Sequence, residues 1–114
     1  MHPRKALLHQ RWLEAALALL LASTMASAGD LTADRKSELR NLVVQDCGSC
    51  HGMTLQGGLG SALRPVDLDG VEPSTIAQII LNGIPGKPMP PWRGLLSDSE
   101  AIWIAHALKA GVLK

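Results

Sequence analysis

The sequence predicts an all-α domain of three helices joined by two long loops. Three observations lead there. No stretch alternates apolar and polar residues as a half-buried strand does, apolar positions recur at helical spacing in three separate segments, and glycine and proline punctuate what lies between them.

The first helix is expected from about Thr32, whose hydroxyl suits an N-cap, with Asp34 in the first turn where a negative charge complements the helix dipole. Leu39, Leu42 and Val43 form its buried stripe, and it runs into Cys47-Gly48-Ser49-Cys50-His51. Residues 52–73 read as loop, broken by Gly57, Gly58, Gly60, Pro65, Gly70 and Pro73. The second helix is expected over Ser74 to Leu81, with Ser74 as cap, Ile76, Ile79 and Ile80 as its apolar face, and Asn82-Gly83 as its end. A proline-rich loop follows through Trp92. The third helix opens on Ser97-Asp98-Ser99-Glu100, the S-x-x-E form of a capping box, and stops at Gly111; its apolar arc holds Ala101, Trp103, Ile104, Ala107 and Leu108.

The N-terminal segment carries a different signal. Arg4, Lys5 and Arg11 precede the apolar run from Ala15 to Ala22, and Ala26-Ser27-Ala28 closes it. A basic head, a short apolar centre and an A-x-A exit describe a secretory signal peptide over residues 1–28, cleaved after Ala28. The run is well short of the roughly 20 apolar residues that span a bilayer. The mature domain is therefore expected over residues 29–114, in the periplasm and without stable membrane association. Cleavage removes Arg4, Lys5 and Arg11 but only Glu14 among the acids, which takes the formal charge from +1 to −1. No basic stripe remains to neutralise phosphates, which argues against nucleic acid.

The spacing C-x-x-C-H at Cys47, Cys50 and His51 is the attachment signature of a c-type haem: each sulfur adds to one vinyl group, and the histidine becomes an axial ligand to iron. On a helix these positions share one face. A bare C-x-x-C would also suit half a zinc knuckle or a thioredoxin-like redox pair. The sequence has no second cysteine pair for zinc and no βαβ pattern for thioredoxin. In an oxidising compartment two free cysteines would normally pair, and thioether formation consumes both. The mature part holds no Phe or Tyr and only Trp92 and Trp103, so a haem would supply flat apolar mass that a small core lacks. The apoprotein is accordingly expected to fold poorly.

A second axial ligand must come from Met53, Met89 or His106. Met53 lies two residues after His51, too close along the chain to cross the ring, and reads as a packing side chain. His106 shares a helix face with Ser99 and Lys109 and reads as solvated. Met89 has ample chain to pass round the haem edge, and the prolines about it hold a stiff, non-helical run that can present one thioether. His51/Met89 ligation fills both axial positions and leaves one-electron transfer rather than oxygen or substrate activation. Arg64, Trp92 and Arg93 are further candidates, as partners of the haem propionates. Gly57 to Gly60 lacks the Lys-Ser/Thr of a phosphate cradle and reads as tight turns against the porphyrin. Asp67, Asp69 and Glu72 read as a wet acidic loop.

With these residues in view, the whole mature chain resembles a class I c-type cytochrome, and more narrowly the cytochrome c55x family associated with cytochrome cd1 nitrite reductase. The resemblance rests on Cys47-Gly-Ser-Cys-His-Gly52, Gly57-Gly-Leu-Gly60, Gly86-Lys-Pro-Met-Pro-Pro-Trp92 and a terminal helix with Trp103-Ile104 ending in Lys109-Ala-Gly111. It implies thioethers at Cys47 and Cys50, iron ligands at His51 and Met89, and helices one and three crossing with Trp103 at the contact. It also implies a monomeric, non-enzymatic electron carrier that donates to cytochrome cd1 nitrite reductase in denitrification, or an electron-transfer accessory among the proteins that assemble haem d1. In this family the loop after the haem motif usually reads G-x-G-P-x-L, and that proline's carbonyl accepts the proton of the proximal histidine. Here Ser61 takes the proline position; its carbonyl is expected to be available for the same bond.

Overall fold

The structure, a computed structural model, describes residues 30–113. The expected signal peptide and its cleavage site lie outside the described residues. No helix among the described residues is long and apolar enough to cross a membrane.

The described chain is helical, with the order α1 (Ala33–Leu42), a π turn (Val43–Cys47), α2 (Gly48–His51), a 3-10 turn (Pro65–Leu68), α3 (Pro73–Asn82) and α4 (Asp98–Ala110). No strand occurs among the described residues. The first three elements form one rod, since Leu42, Val43, Cys47 and Gly48 at their junctions are all right-handed helical. Thr32 caps α1 as expected, its hydroxyl accepting from the Arg35 amide at 3.1 Å. The π turn was not foreseen. There the Gly48 amide reaches the Val43 carbonyl, five residues back, so the haem motif is rotated relative to the Leu39/Val43 stripe that precedes it.

α3 departs from expectation at both its start and its face. Glu72 is the N-cap, and Pro73 occupies the first turn, where its missing N–H costs nothing and its fixed φ already suits the helix. Ile76, Ala77, Ile80 and Leu81 are buried, while Ile79 is 39% exposed. Two i, i+4 pairs, Ile76/Ile80 and Ala77/Leu81, make the inward stripe, and Ile79 falls beside it. α4 carries the predicted capping box: the Glu100 amide donates to Ser97 Oγ at 3.2 Å and the Ser97 amide to Glu100 Oε2 at 2.8 Å. Gly111 ends it in the left-handed conformation, with its amide on the Leu108 carbonyl at 3.0 Å.

The core gathers Leu39 and Val43 from the first rod, Ile76, Ala77, Ile80 and Leu81 from α3, and Ala101, Ile104, Ala105, Ala107 and Leu108 from α4, with Leu55, Leu96 and Leu113 from the loops and terminus. α1 and α4 are joined by side chains. Arg35 Nε donates to Glu100 Oε1 at 2.6 Å, and the Arg40 guanidinium lies 5.5 Å from the Trp103 ring centroid. Trp103 is thus half-buried at that contact rather than in the centre of the core. Lys109 Nζ donates to the carbonyls of Leu68 and Val71, each at 2.7 Å, and pins the 3-10 turn and its exit to α4.

Candidate haem site

α2 ends at His51, and the chain reverses at Gly52, whose φ of 89° suits glycine. Main-chain bonds close the reversal: the Gly57 amide donates to the His51 carbonyl and the Gly60 amide to the Cys50 carbonyl, both at 2.8 Å. These are terminal carbonyls with no partner inside the helix, and the glycine loop satisfies them. A Cβ at Gly58 would lie 2.7 Å from the Cys50 carbonyl oxygen. The glycines therefore turn against the end of the haem-motif helix. Leu55, at φ 59°, is buried, and its carbonyl accepts from the Leu63 amide at 2.9 Å, which anchors the loop in the core.

The same loop carries the Ser61 carbonyl to 2.6 Å from His51 Nδ1. A carbonyl only accepts, so the contact places the imidazole proton on Nδ1 and leaves Nε2 as the nitrogen able to bind a metal. Gly60 closes on the ring beside it: a Cβ there would lie 2.8 Å from Nδ1 and 2.9 Å from Cε1. Ser61 in the proline position keeps the bond because the acceptor is main chain. Gly60 was legible only as one glycine of a run; what singles it out is the imidazole against its Cα.

Cys47 and Cys50 are both free thiols, Cys47 half-buried and Cys50 exposed. Burial, helped by the Asp46 carboxylate, pushes the Cys47 thiol up to about 11, so it is protonated at neutral pH. The Ser49 hydroxyl donates to the Asp46 carbonyl at 2.6 Å and ties the two residues between the cysteines to the helix. No group of three or more His, Cys, Asp or Glu side chains that could hold a metal ion occurs among the described residues. Two thiols three residues apart and an imidazole with Nε2 available suit a flat, covalently held metallomacrocycle.

Met53, read from the sequence as a packing side chain, is more than half exposed, with its Sδ 3.5 Å from where a Gly48 Cβ would stand. His106 is exposed. Met89 and Trp92 are each half-buried in the loop between α3 and α4. Arg93 stands at the base of that loop with its guanidinium engaged: Nη1 donates to Asp98 Oδ1 at 2.9 Å, and Nε and Nη2 donate to Asn82 Oδ1 at 3.3 and 3.2 Å. Arg64 likewise forks onto Asp67 at 2.7 and 2.9 Å. Ile79 and Ile84, 39% and 41% exposed, stand before and at the start of the Met89 loop.

A helix end carrying two thiols and an imidazole at the C-x-x-C-H spacing, in an all-α domain, defines a c-type cytochrome. Comparison with known proteins agrees. A family profile described as cytochrome c oxidase, cbb3-type, subunit III matches residues 34–106. Cytochrome c55X of Pseudomonas aeruginosa is 46% identical over 110 residues, covering 95% of this chain and 91% of that protein. Cytochrome c55X of Paracoccus denitrificans is 47% identical over 93 residues, covering 82% and 90%. The solved structure of a c-type cytochrome NirC superposes with a TM-score of 0.71 at 47% identity, over 73% of this chain and 98% of that one. The chain belongs to the cytochrome c55X family of c-type cytochromes, electron-transfer proteins whose cofactor is a covalently attached haem c with its iron.

Proposed function

We propose that this chain is an exported one-electron carrier that donates to cytochrome cd1 nitrite reductase in denitrification. The observation that carries the reading is the 2.6 Å contact of His51 Nδ1 with the Ser61 carbonyl, which fixes the ring and leaves Nε2 for a ligand role. Membership of the cytochrome c55X family supplies the link to the reductase, through the resemblance described above.

In this reading Cys47 and Cys50 hold the haem by thioethers, and His51 Nε2 and the Met89 thioether hold its iron. The haem, once bound, supplies a reversible one-electron change at iron. The chain's own residues keep everything else still. Ser61 fixes the Nδ1 proton and the ring plane, and Gly60 leaves that ring no room to tilt. With an imidazole and a thioether on the iron, small molecules find no open position, so the protein transfers electrons without binding a substrate. Trp92 and Arg93 would be the partners of the haem propionates, through an indole or guanidinium N–H; the Arg93 guanidinium already holds Asn82 and Asp98. Export follows from the basic head, apolar centre and A-x-A exit of residues 1–28.

The test is stopped-flow mixing of the mature, reduced holoprotein with oxidised cytochrome cd1 nitrite reductase, following the α-band. Fast, salt-sensitive reoxidation that sustains nitrite turnover is expected, because a carrier that docks and leaves relies on screened charge contacts. Persistence of the band, while another cytochrome c is oxidised in the same assay, would remove the donor role and favour a part in haem d1 assembly.

A further inference from the structure

We propose that Gly83, seated against the main chain of Met89 to Pro91, is the positioning residue for Met89. The proposal rests on the reading of Met89 as the second iron ligand.

α3 ends at Asn82, and Gly83 leaves it at φ 67° and ψ −171°, a conformation open to glycine and strained for other residues. A Cβ at Gly83 would lie 2.6 Å from the Met89 carbonyl oxygen and 2.8 Å from both the Pro90 carbonyl carbon and the Pro91 nitrogen. All three are main-chain atoms, so the loop cannot yield by rotating a side chain; it must shift as a unit. Gly86, in the same loop and also at positive φ (74°), has no neighbour within 4 Å of such a Cβ. One glycine shapes the turn. The other is where the loop rests.

The ends of the loop are held as closely. The Ile84 amide donates to the Met89 carbonyl, and the main-chain amides of Trp92 and Arg93 donate to the Ile80 and Leu81 carbonyls of α3, each at 3.1 Å. The Arg93 guanidinium then joins Asn82, the residue before Gly83, to Asp98, the first residue of α4. Pro85, Pro88, Pro90 and Pro91 stiffen the interior of the loop. A stiff loop sits wherever its ends and its seat place it. The sulfur at position 89 is therefore aimed by Gly83 and the α3 terminus more than by its own neighbours in the chain.

The experiment compares the methionine–iron charge-transfer band of the oxidised holoprotein in wild type, Met89→Ala, Gly83→Ala and Gly86→Ala, with covalent haem confirmed by mass in each. Met89→Ala should abolish the band; if it does not, the ligand reading fails. Given that loss, Gly83→Ala should lose most of the band, while Gly86→Ala retains it. Equal behaviour of the two glycine variants would overturn the proposal. Should Gly83→Ala yield no holoprotein, amide hydrogen exchange of the wild type decides. Ile84 and Trp92 amides protected like those of α3 support the seat, and exchange as fast as the Gly86 amide overturns it.

Discussion

The Ser61 carbonyl oxygen lies 2.6 Å from His51 Nδ1, and the acceptor belongs to the backbone. The identity of the side chain at position 61 is therefore secondary to the path of the loop that carries it. Ser61→Pro should keep haem attachment and the Soret spectrum, and raise unfolding free energy by about 0.4–1 kcal/mol through a less flexible unfolded chain. Loss of the spectrum on this substitution would show that the loop needs the Ser61 amide or φ.

Gly60 carries the opposite expectation. A methyl at this position meets the imidazole at 2.8 Å, so Gly60→Ala must tilt the ring or move the loop. Overpacking of this kind costs about 1–3 kcal/mol. Urea unfolding followed at the Soret band should show the loss, together with a shifted spectrum that a merely structural defect elsewhere would not give.

The Arg35–Glu100 pair predicts a pH dependence. The Arg35 hydrogen bond first, and the Ser97 amide second, hold the Glu100 carboxyl below its ordinary 4.5. A depressed folded-state value means that folding favours the ionised form, so this contribution is complete above 4.5 and disappears as pH falls through the folded value. Glu100→Gln should destabilise the holoprotein at neutral pH, and the gap from wild type should close in acid below that range. A gap that stays constant from neutral pH into acid would contradict the assignment.

Lys109 donates to two main-chain carbonyls at 2.7 Å, those of Leu68 and Val71. Lys109→Met keeps the stem and removes both bonds, at about 1–3 kcal/mol for carbonyls left without their charged donor. Hydrogen exchange should localise the loosening to residues 65–71.

A haem-free chain should be poorly folded. The described core is built from small aliphatic side chains, and Trp92 and Trp103 are only half-buried. The double variant Cys47→Ser/Cys50→Ser should lack the far-UV helical signal and the cooperative melt of the holoprotein. A sharp transition in that variant would show that the core suffices alone.

What was legible in the sequence was local. Thr32 and the Ser97/Glu100 box announce their helix starts because a cap is a contact between residues three apart. C-x-x-C-H is legible because three side chains must meet one ligand at fixed spacing. The α3 start was misread because Ser74 is a good cap residue, whereas the helix begins at Pro73, whose fixed φ suits the first turn, and Glu72 holds the N-cap position without a side-chain bond. The π turn has no residue pattern of its own, and nothing in Val43–Cys47 signals it. The seat of the Met89 loop on Gly83 and the Arg93 bridge to Asn82 and Asp98 depend on how two helix ends approach. No period or dipeptide records that, so the partners Arg93 finds in Asn82 and Asp98 were not legible.

The most direct measurement is the intact mass of the protein recovered from the periplasm of a cell that matures c-type cytochromes, with peptide mapping of the cysteines. The account predicts residues 29–114 plus one haem, with Cys47 and Cys50 both consumed as thioethers. A haem-free mass, or a Cys47–Cys50 disulfide, would contradict it.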